Sequence, residues 1–404
     1  DWYIKQLRDQ WSHESAPLPI SINDQELNEL ENKFQFRKRS DFWEPKTVQV
    51  PVDTPTIKEA FSSPENYRKA LGVDQPIPDY TFFSPEVTYG IPADSLDDQV
   101  SFYYEGNFLT EDREGNKLYY TRVQDDLIMD ILKTNKWVRP VYFANTVSRS
   151  SQLNLQPYFR MEGQAFRVIP KKADDVSFYG YGTLDRTIHA NRLNRFKYRE
   201  MDNPDAYFDE NIRRMLDNYR YSFTQLAGRY QSINKPDSAI YWLKFGEDKI
   251  PFNTVKSDAR SILQYAKQYS DASATEEALR LAETAENETI DKFNYQVDQV
   301  TSLESAIYDL DAQSKMARQN SDMKEARNLK SQIDRKLSQR ESISRNLSIN
   351  VLLLMRLQQI YFESDQEEKA VALGTQVNEI VGDRFDFPMT REQNQQRIRN
   401  SYPN

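Results

Sequence analysis

The sequence predicts an α+β chain that is mostly α. A partial α/β, loop-rich region is expected over residues 1–205, followed over 206–404 by a tetratricopeptide-like helical-repeat array with a long helical hairpin inserted at about 286–350. Three observations predict this. No proline falls between Pro251 and Pro388 and no glycine between Gly246 and Gly374, and helix interiors tolerate neither residue well. Residues 125–169 switch between helical and extended patterning. Three stretches after Asp209 carry bulky and small residues at the spacing of helical hairpins.

The bulk composition bounds what the chain can be. Its 404 residues leave room for two or three domains and a substantial core. With 38% hydrophobic and 28% charged residues, a folded chain is expected rather than a disordered one. A net charge of −9 argues against nucleic acid as a partner, because phosphate binding needs a basic footprint. The absence of cysteine excludes disulfides, thiolate chemistry and Cys-based metal sites. The longest purely apolar run, Val351 to Met355, falls far short of the roughly 20 residues of a membrane span. No signal peptide is legible. The chain opens at Asp1 without Met, inside a helical pattern (Trp2, Ile4, Leu7, Trp11), as expected of a cut through a larger polypeptide.

Residues 12–120 read as extended and loop-rich, with many prolines and short strand candidates such as Thr47–Val52. Leu127, Ile128, Ile131 and Leu132 have helical spacing, so 125–132 is expected to be a helix. A turn at Lys136–Arg139, a strand at 141–147, a short helix near 151–158 and a strand at 165–169 follow. Helix then strand with a crossover predicts a partial α/β layer.

From Asp209 on the pattern becomes helical and repetitive. A tetratricopeptide unit is a helix–turn–helix of about 34 residues whose small positions let its helices approach. Phe223, Leu226, Ala227, Tyr230, Ala239, Leu243, Gly246 and Pro251 fall on those positions in order. A second unit fits Ile262, Tyr265, Ala266, Tyr269, Ala278, Ala282 and Ala285, and a third Leu354, Leu357, Gln358, Tyr361, Ala370, Gly374 and Val377. Between them Ile290, Phe293, Val297, Val300, Ile307 and Leu310 recur at three- and four-residue steps. Leu329, Ile333, Leu337, Ile343 and Leu347 do so less regularly, after the polar stretch Gln313–Asp322. An antiparallel hairpin with a narrow seam is predicted, either packing on itself or serving as a docking arm.

The search for a catalytic constellation yields little. His13 and His189 are the only histidines, and no H-E-x-x-H, nucleophile elbow, Walker loop or G-x-G-x-x-G occurs. Gly180-Tyr181-Gly182 is too short for a phosphate cradle. No catalytic residue, metal site or cofactor is therefore assigned. Two features stand out. In Tyr158–Pro170, Tyr158, Arg160, Glu162 and Arg167 sit among aromatics beside Gly163, as a sugar-phosphate or carboxylate clamp or as an Arg–Glu brace before a strand. The basic run Arg186, Arg192, Arg195, Lys197, Arg199 precedes the acidic run Glu200, Asp202, Asp205, Asp209, Glu210. Arg192, Arg195, Lys197 and Arg199 are candidates for an anion or lipid head group, against the alternative of solvated faces. The acidic part is expected to supply N-terminal charge to a helix starting near Asp209.

The run Asp125–Pro170, with Asp130-Ile131-Leu132, Asn135-Lys136-Trp137 and Arg139-Pro140-Val141-Tyr142-Phe143, resembles the C-terminal region of a bacterial membrane family. That family carries a domain of unknown function and is classed as protein O-mannosyltransferase-like, of the GT-C type. Asp1-Trp2-Tyr3-Ile4-Lys5-Gln6-Leu7 and Asn203–Met215 look like further blocks of it, in family order. The resemblance implies a glycosyltransferase parent whose transmembrane bundle, the chain's first expected partner, holds the catalytic acid and lipid-linked sugar. It leaves this chain an accessory role on the periplasmic face of the cytoplasmic membrane. An acceptor protein or peptide in the repeat groove and a lipid-phosphate head group are the other expected partners. The competing reading is a free-standing repeat scaffold or glycan-binding lipoprotein of the cell envelope.

Overall fold

A computed structural model describes residues 19–33, 42–71, 91–174 and 182–401. The expected opening helix, His13 and Gly180-Tyr181 lie outside the described residues. The chain divides into two compact units, Asp1–Phe196 and Lys197–Asn404. The fold is mostly helical, with small antiparallel sheets in the first unit.

In the first unit, alternation decides the first sheet. Strand β1 (Lys46–Pro51) pairs antiparallel with β2 (Gln99–Tyr104), Lys46 opposite Tyr104 and Pro51 opposite Gln99. Val48, Val50, Val100, Phe102 and Tyr104 take the buried positions, every second residue on each strand. Trp137 Nε1 donates to the Pro51 carbonyl at 2.9 Å and Trp43 Nε1 to the Tyr104 carbonyl at 3.1 Å, so an indole pins each end of the pair.

The stretch read as loop-rich also holds helices α1 (Asp24–Lys33), α2 (Thr54–Ala60) and α3 (Pro64–Leu71). A hairpin of β3 (Asn107–Glu111) and β4 (Lys117–Tyr120) follows. Here proline does not break the helices. Pro55 and Pro64 occupy first turns, where the missing N–H has no partner to lose, so they start helices.

Helix α4 (Val123–Thr134) is tied to this layer by Asp125, which is fully buried. Its Oδ2 accepts from Tyr104 Oη at 2.7 Å and from Asn107 Nδ2 and Arg122 Nε at 3.0 Å, and its Oδ1 from Arg122 Nη2 at 2.8 Å. The expected helix near 151–158 is instead two single 3-10 turns, Arg149–Ser151 and Gln156–Tyr158. Leu153 and Asn154, with φ of 52° and 59°, interrupt it.

The second sheet corrects the α/β expectation. Its strands β5 (Val141–Ala144), β6 (Phe159–Glu162) and β7 (Ala165–Val168) are ordered β5-β7-β6, and both pairings are antiparallel. A parallel neighbour needs a crossover of a dozen or more residues, whereas Gly163-Gln164 alone joins β6 to β7. The first unit is therefore α+β. Helix α5 (Arg186–Arg195), capped by the Asp185 side chain, packs against β6.

In the second unit the helices begin where capping residues stand. Asp209 accepts from Ile212 N at 2.8 Å and opens α6 (Glu210–Gln231), as the acidic run predicts. Then come α7 (Pro236–Lys249), α8 (Ala259–Asp271), α9 (Thr275–Gln319), α10 (Met323–Glu363), α11 (Glu367–Val381) and α12 (Arg391–Asn400). Helices α6–α7, α8–α9 and α10–α11 form packed hairpins, and α8 touches both α6 and α10. Phe223, Ala227, Ala239, Leu243 and Gly246 are buried between the first pair. A Cβ on Gly246 would stand 2.7 Å from the Phe223 ring, so the close approach of α6 and α7 needs glycine there.

The predicted insertion is not a separate hairpin. Helix α9 runs unbroken for 45 residues and α10 for 41, so the second and third helix pairs share an extended arm. Most of the polar stretch Gln313–Asp322 is helical, and the chain turns within Asn320–Asp322. Phe293, Val297, Val300 and Leu329 are buried, while Ile307, Leu310, Ile333 and Leu337 are half-buried along the arm.

The Asp125 network sets an acid-stability expectation. Burial acts to raise the carboxyl's pKa, but hydrogen bonds from Arg122 and Tyr104 outweigh it and hold the pKa below the ordinary carboxylate value. The unfolded chain therefore takes up the proton first as pH falls. The stabilisation is complete above the unfolded pKa of about 3.9 and is lost as pH drops through the lower folded value. Urea midpoints measured from neutral pH down through ~4 should fall less steeply for Asp125→Asn, which starts less stable. Parallel pH profiles would refute the assignment.

Candidate functional site

The charged residues of Tyr158–Pro170 are placed by strand register. Tyr142, Arg167 and Arg160 stand side by side across β5, β7 and β6. Glu162, two residues along β6, shares their face. The opposite face carries Phe143, Phe159, Met161, Phe166 and Val168, with Phe159 and Phe166 stacked at 5.4 Å. Both faces of β6 and β7 are covered, while Tyr142 on the outer strand β5 stays exposed. Arg160 and Arg167 are each 4% exposed and Glu162 5%.

Glu162 is the centre of the polar face. Its Oε1 accepts from Arg160 Nε at 3.0 Å and Nη2 at 2.5 Å, with Arg167 Nη1 at 3.9 Å. Its Oε2 accepts from Tyr142 Oη at 3.0 Å, with Arg192 Nη2 of α5 at 3.6 Å. Burial pulls Arg160 below the usual guanidinium range, against the attraction of Glu162. Burial likewise raises Tyr142. A carboxylate whose two oxygens already face several donors has little capacity left to act as a general base. This arrangement orients strands.

Gly163 and His189 complete the corner. Gly163, with φ of 67°, stands first in the two-residue β6–β7 connection, where hairpin turns favour glycine. A Cβ there would meet the Phe196 ring at 2.9 Å and Arg192 Cβ at 3.2 Å. His189 is fully buried, and its Nδ1 accepts from the Gly163 N–H at 3.0 Å.

Of the other sequence candidates, Arg192 joins this cluster through Glu162. The Tyr158 hydroxyl accepts from Ser101 N at 3.0 Å and so braces β2. Arg192 turns toward Glu162, whereas Arg195, Lys197 and Arg199 are exposed. Tyr142 was not singled out in the sequence, although Phe159-Arg160-Met161-Glu162 alternates strictly and would have revealed β6 and its charged face.

A second candidate site lies in the second unit. A groove of about 670 Å3 opens between α6, the segment after α7, and α9, with Glu210, Arg213, Asp217, Phe252, Lys256 and Asp258 among its lining residues. Arg220, fully buried on α6, holds the segment after α7 that forms one wall. Its Nη2 donates to the carbonyls of Ile250, Pro251 and Val255 at 3.1, 3.3 and 2.6 Å. Its Nη1 pairs with Asp217 at 2.8 Å, and its guanidinium stands 4.4 Å over Phe252. Burial pulls its pKa down, with Asp217 opposing. In the groove Arg214 pairs with Glu210 and Lys292 with Glu288, while Arg213 and Lys256 form no ion pair among the described residues. Among the described residues no group of three or more His, Asp or Glu could hold a metal ion.

If Glu162 braces the sheet, Glu162→Gln should leave buried guanidiniums facing one another and cost roughly 3–5 kcal/mol, as for a broken buried pair. A solvated pair would cost about 0–1 kcal/mol. Urea unfolding of the first unit measures it, and a near-neutral result would contradict the brace.

Residues 109–187, from β3 into the start of α5, match the family model TMEM260-associated domain 2, a domain of unknown function. The matched stretch includes Tyr142, Arg160, Glu162 and Arg167. No curated protein and no solved structure matches the chain. Among the described residues no helix is long and apolar enough to cross a membrane. The chain is thus similar, over its β-rich segment, to a domain associated with TMEM260.

Proposed function

We propose that this chain is an extracytoplasmic accessory region of a membrane glycosyltransferase-like protein and holds an acceptor polypeptide for sugar transfer by the parent's transmembrane bundle. The likeness to TMEM260-associated domain 2 supports the membrane-protein setting. The resemblance of Asp125–Pro170 to the protein O-mannosyltransferase-like family supports the reaction class and the outer-face address.

The groove of the second unit carries the binding role. The three packed hairpins, with small residues such as Ala227, Ala239 and Gly246 at their approaches, support tetratricopeptide-like geometry, in which a concave surface receives a peptide. The groove is open, carries charged side chains of both signs and has apolar surface between them. Arg213 and Lys256 offer cations to an incoming chain's carboxylates, and Phe252 offers an apolar floor. An extended, polar, Ser/Thr-rich segment satisfies such walls better than a compact apolar ligand does.

The test is fluorescence anisotropy of labelled Ser/Thr-rich peptides carrying both Lys and Glu, titrated with the full chain. Binding should weaken with salt, and Arg213→Glu combined with Lys256→Glu should weaken it about tenfold or more. Both side chains line the groove and form no ion pair among the described residues, so the fold should hold. Peptide binding indifferent to that double reversal, or no binding at all, would contradict the reading.

A further inference from the structure

Where α9 and α10 enter the arm, the segment after α11 and helix α12 close over them and leave a cavity of about 380 Å3. This lies within the size range of small-molecule sites. Its walls are apolar: Phe293, Val297 and Val300 from α9, and Val351, Leu352 and Met355 from α10. Two arginines stand at its rim. Arg384 is engaged, donating to Thr301 Oγ1 at 3.0 Å and pairing with Glu304 at 3.2 Å. Arg397 is exposed. Its guanidinium lies 5.2 Å over the Phe385 ring, and it forms no ion pair among the described residues.

The cavity therefore combines an apolar depth with one cation at its mouth that no acidic partner engages among the described residues, in a chain of net charge −9. We infer that it binds a single-chain anionic amphiphile, with its hydrocarbon tail between α9 and α10 and its carboxylate or phosphate on Arg397. Each half of the ligand is required. A neutral tail fills the depth and leaves Arg397 unused. A small anion meets one solvated guanidinium, and such exposed pairs contribute little. A cationic head group is repelled by Arg397. The tail dehydrates the mouth, which strengthens the head-group contact beyond that of an exposed pair. This site shares no residue with the peptide groove and does not depend on it.

Calorimetric titration of the full chain with monomeric decanoate and decyl phosphate, below their micelle thresholds, tests the inference. Decanol, acetate and inorganic phosphate serve as part-ligands, and phosphatidylglycerol vesicles as a bilayer source. Both decyl anions should bind one-to-one, decanol about tenfold more weakly, and acetate and phosphate without measurable heat. Arg397→Gln should bring decanoate to the level of decanol while leaving decanol unchanged. Decanol binding as tightly as decanoate would overturn the inference, as would decanoate binding that survives Arg397→Gln unchanged. So would binding to the vesicles without binding of the monomers, or no binding of either anion. The comparison of ligands on the unaltered chain decides the matter even if a variant fails to fold.

Discussion

The first unit depends on a single buried carboxylate. Glu162 draws guanidiniums from its own strand, from β7 and from α5, together with the Tyr142 hydroxyl from β5. A three-stranded sheet of four-residue strands has few ladder hydrogen bonds of its own and is marginal without a packed face. One face is packed with phenylalanines in the ordinary way. The other is charged, and charge can be buried only when partners surround it. Concentrating those partners on one residue fixes register as well as stability. A slip by one residue would send Arg160 and Glu162 into the aromatic face.

The second unit uses the same device with the sign reversed. Arg220 is a buried cation whose partners are mostly backbone carbonyls, and it fixes the irregular segment between α7 and α8 against α6. Packed helices alone would leave that segment's carbonyls unsatisfied where water is excluded. The segment that Arg220 holds also supplies Phe252, Lys256 and Asp258 to the groove. A rigid wall lowers the ordering cost of binding an extended chain.

The helical part of the fold was legible in the sequence because helix periodicity, capping Asp209 and the small residues at close approaches are local signals. Phe223 through Gly246 fall where hairpin packing requires them. The sheet was less legible. Strand β6 is buried on both faces, a tertiary fact that no local pattern encodes, so in the sequence its Arg and Glu allow both a ligand clamp and an Arg–Glu brace. Helices α2 and α3, with Pro55 and Pro64 in their first turns, are too short to show periodicity, so their stretch reads as loop-rich. The arm's continuity was hidden for the opposite reason. Its polar stretch is mostly exposed near the tip and offers only small residues such as Ser314 and Ala317 to the partner helix, so no apolar stripe marks it. Of the candidate site residues, Arg160, Glu162 and Arg167 come together as their spacing on alternating strands demands. Arg192 joins them through a helix, a tertiary relation that no local pattern encodes, and Arg220 was missed for the same reason.

We propose a division of labour: the segment resembling the TMEM260-associated domain serves as a braced scaffold, and the helical groove as the binding surface. Hydrogen–deuterium exchange of the full chain, with and without a saturating Ser/Thr-rich peptide, tests it most directly. The account predicts new protection in the first turns of α6 and over residues 252–258, with residues 159–168 already protected and unchanged. Protection appearing at 159–168 on peptide addition, with none over 252–258, would contradict it.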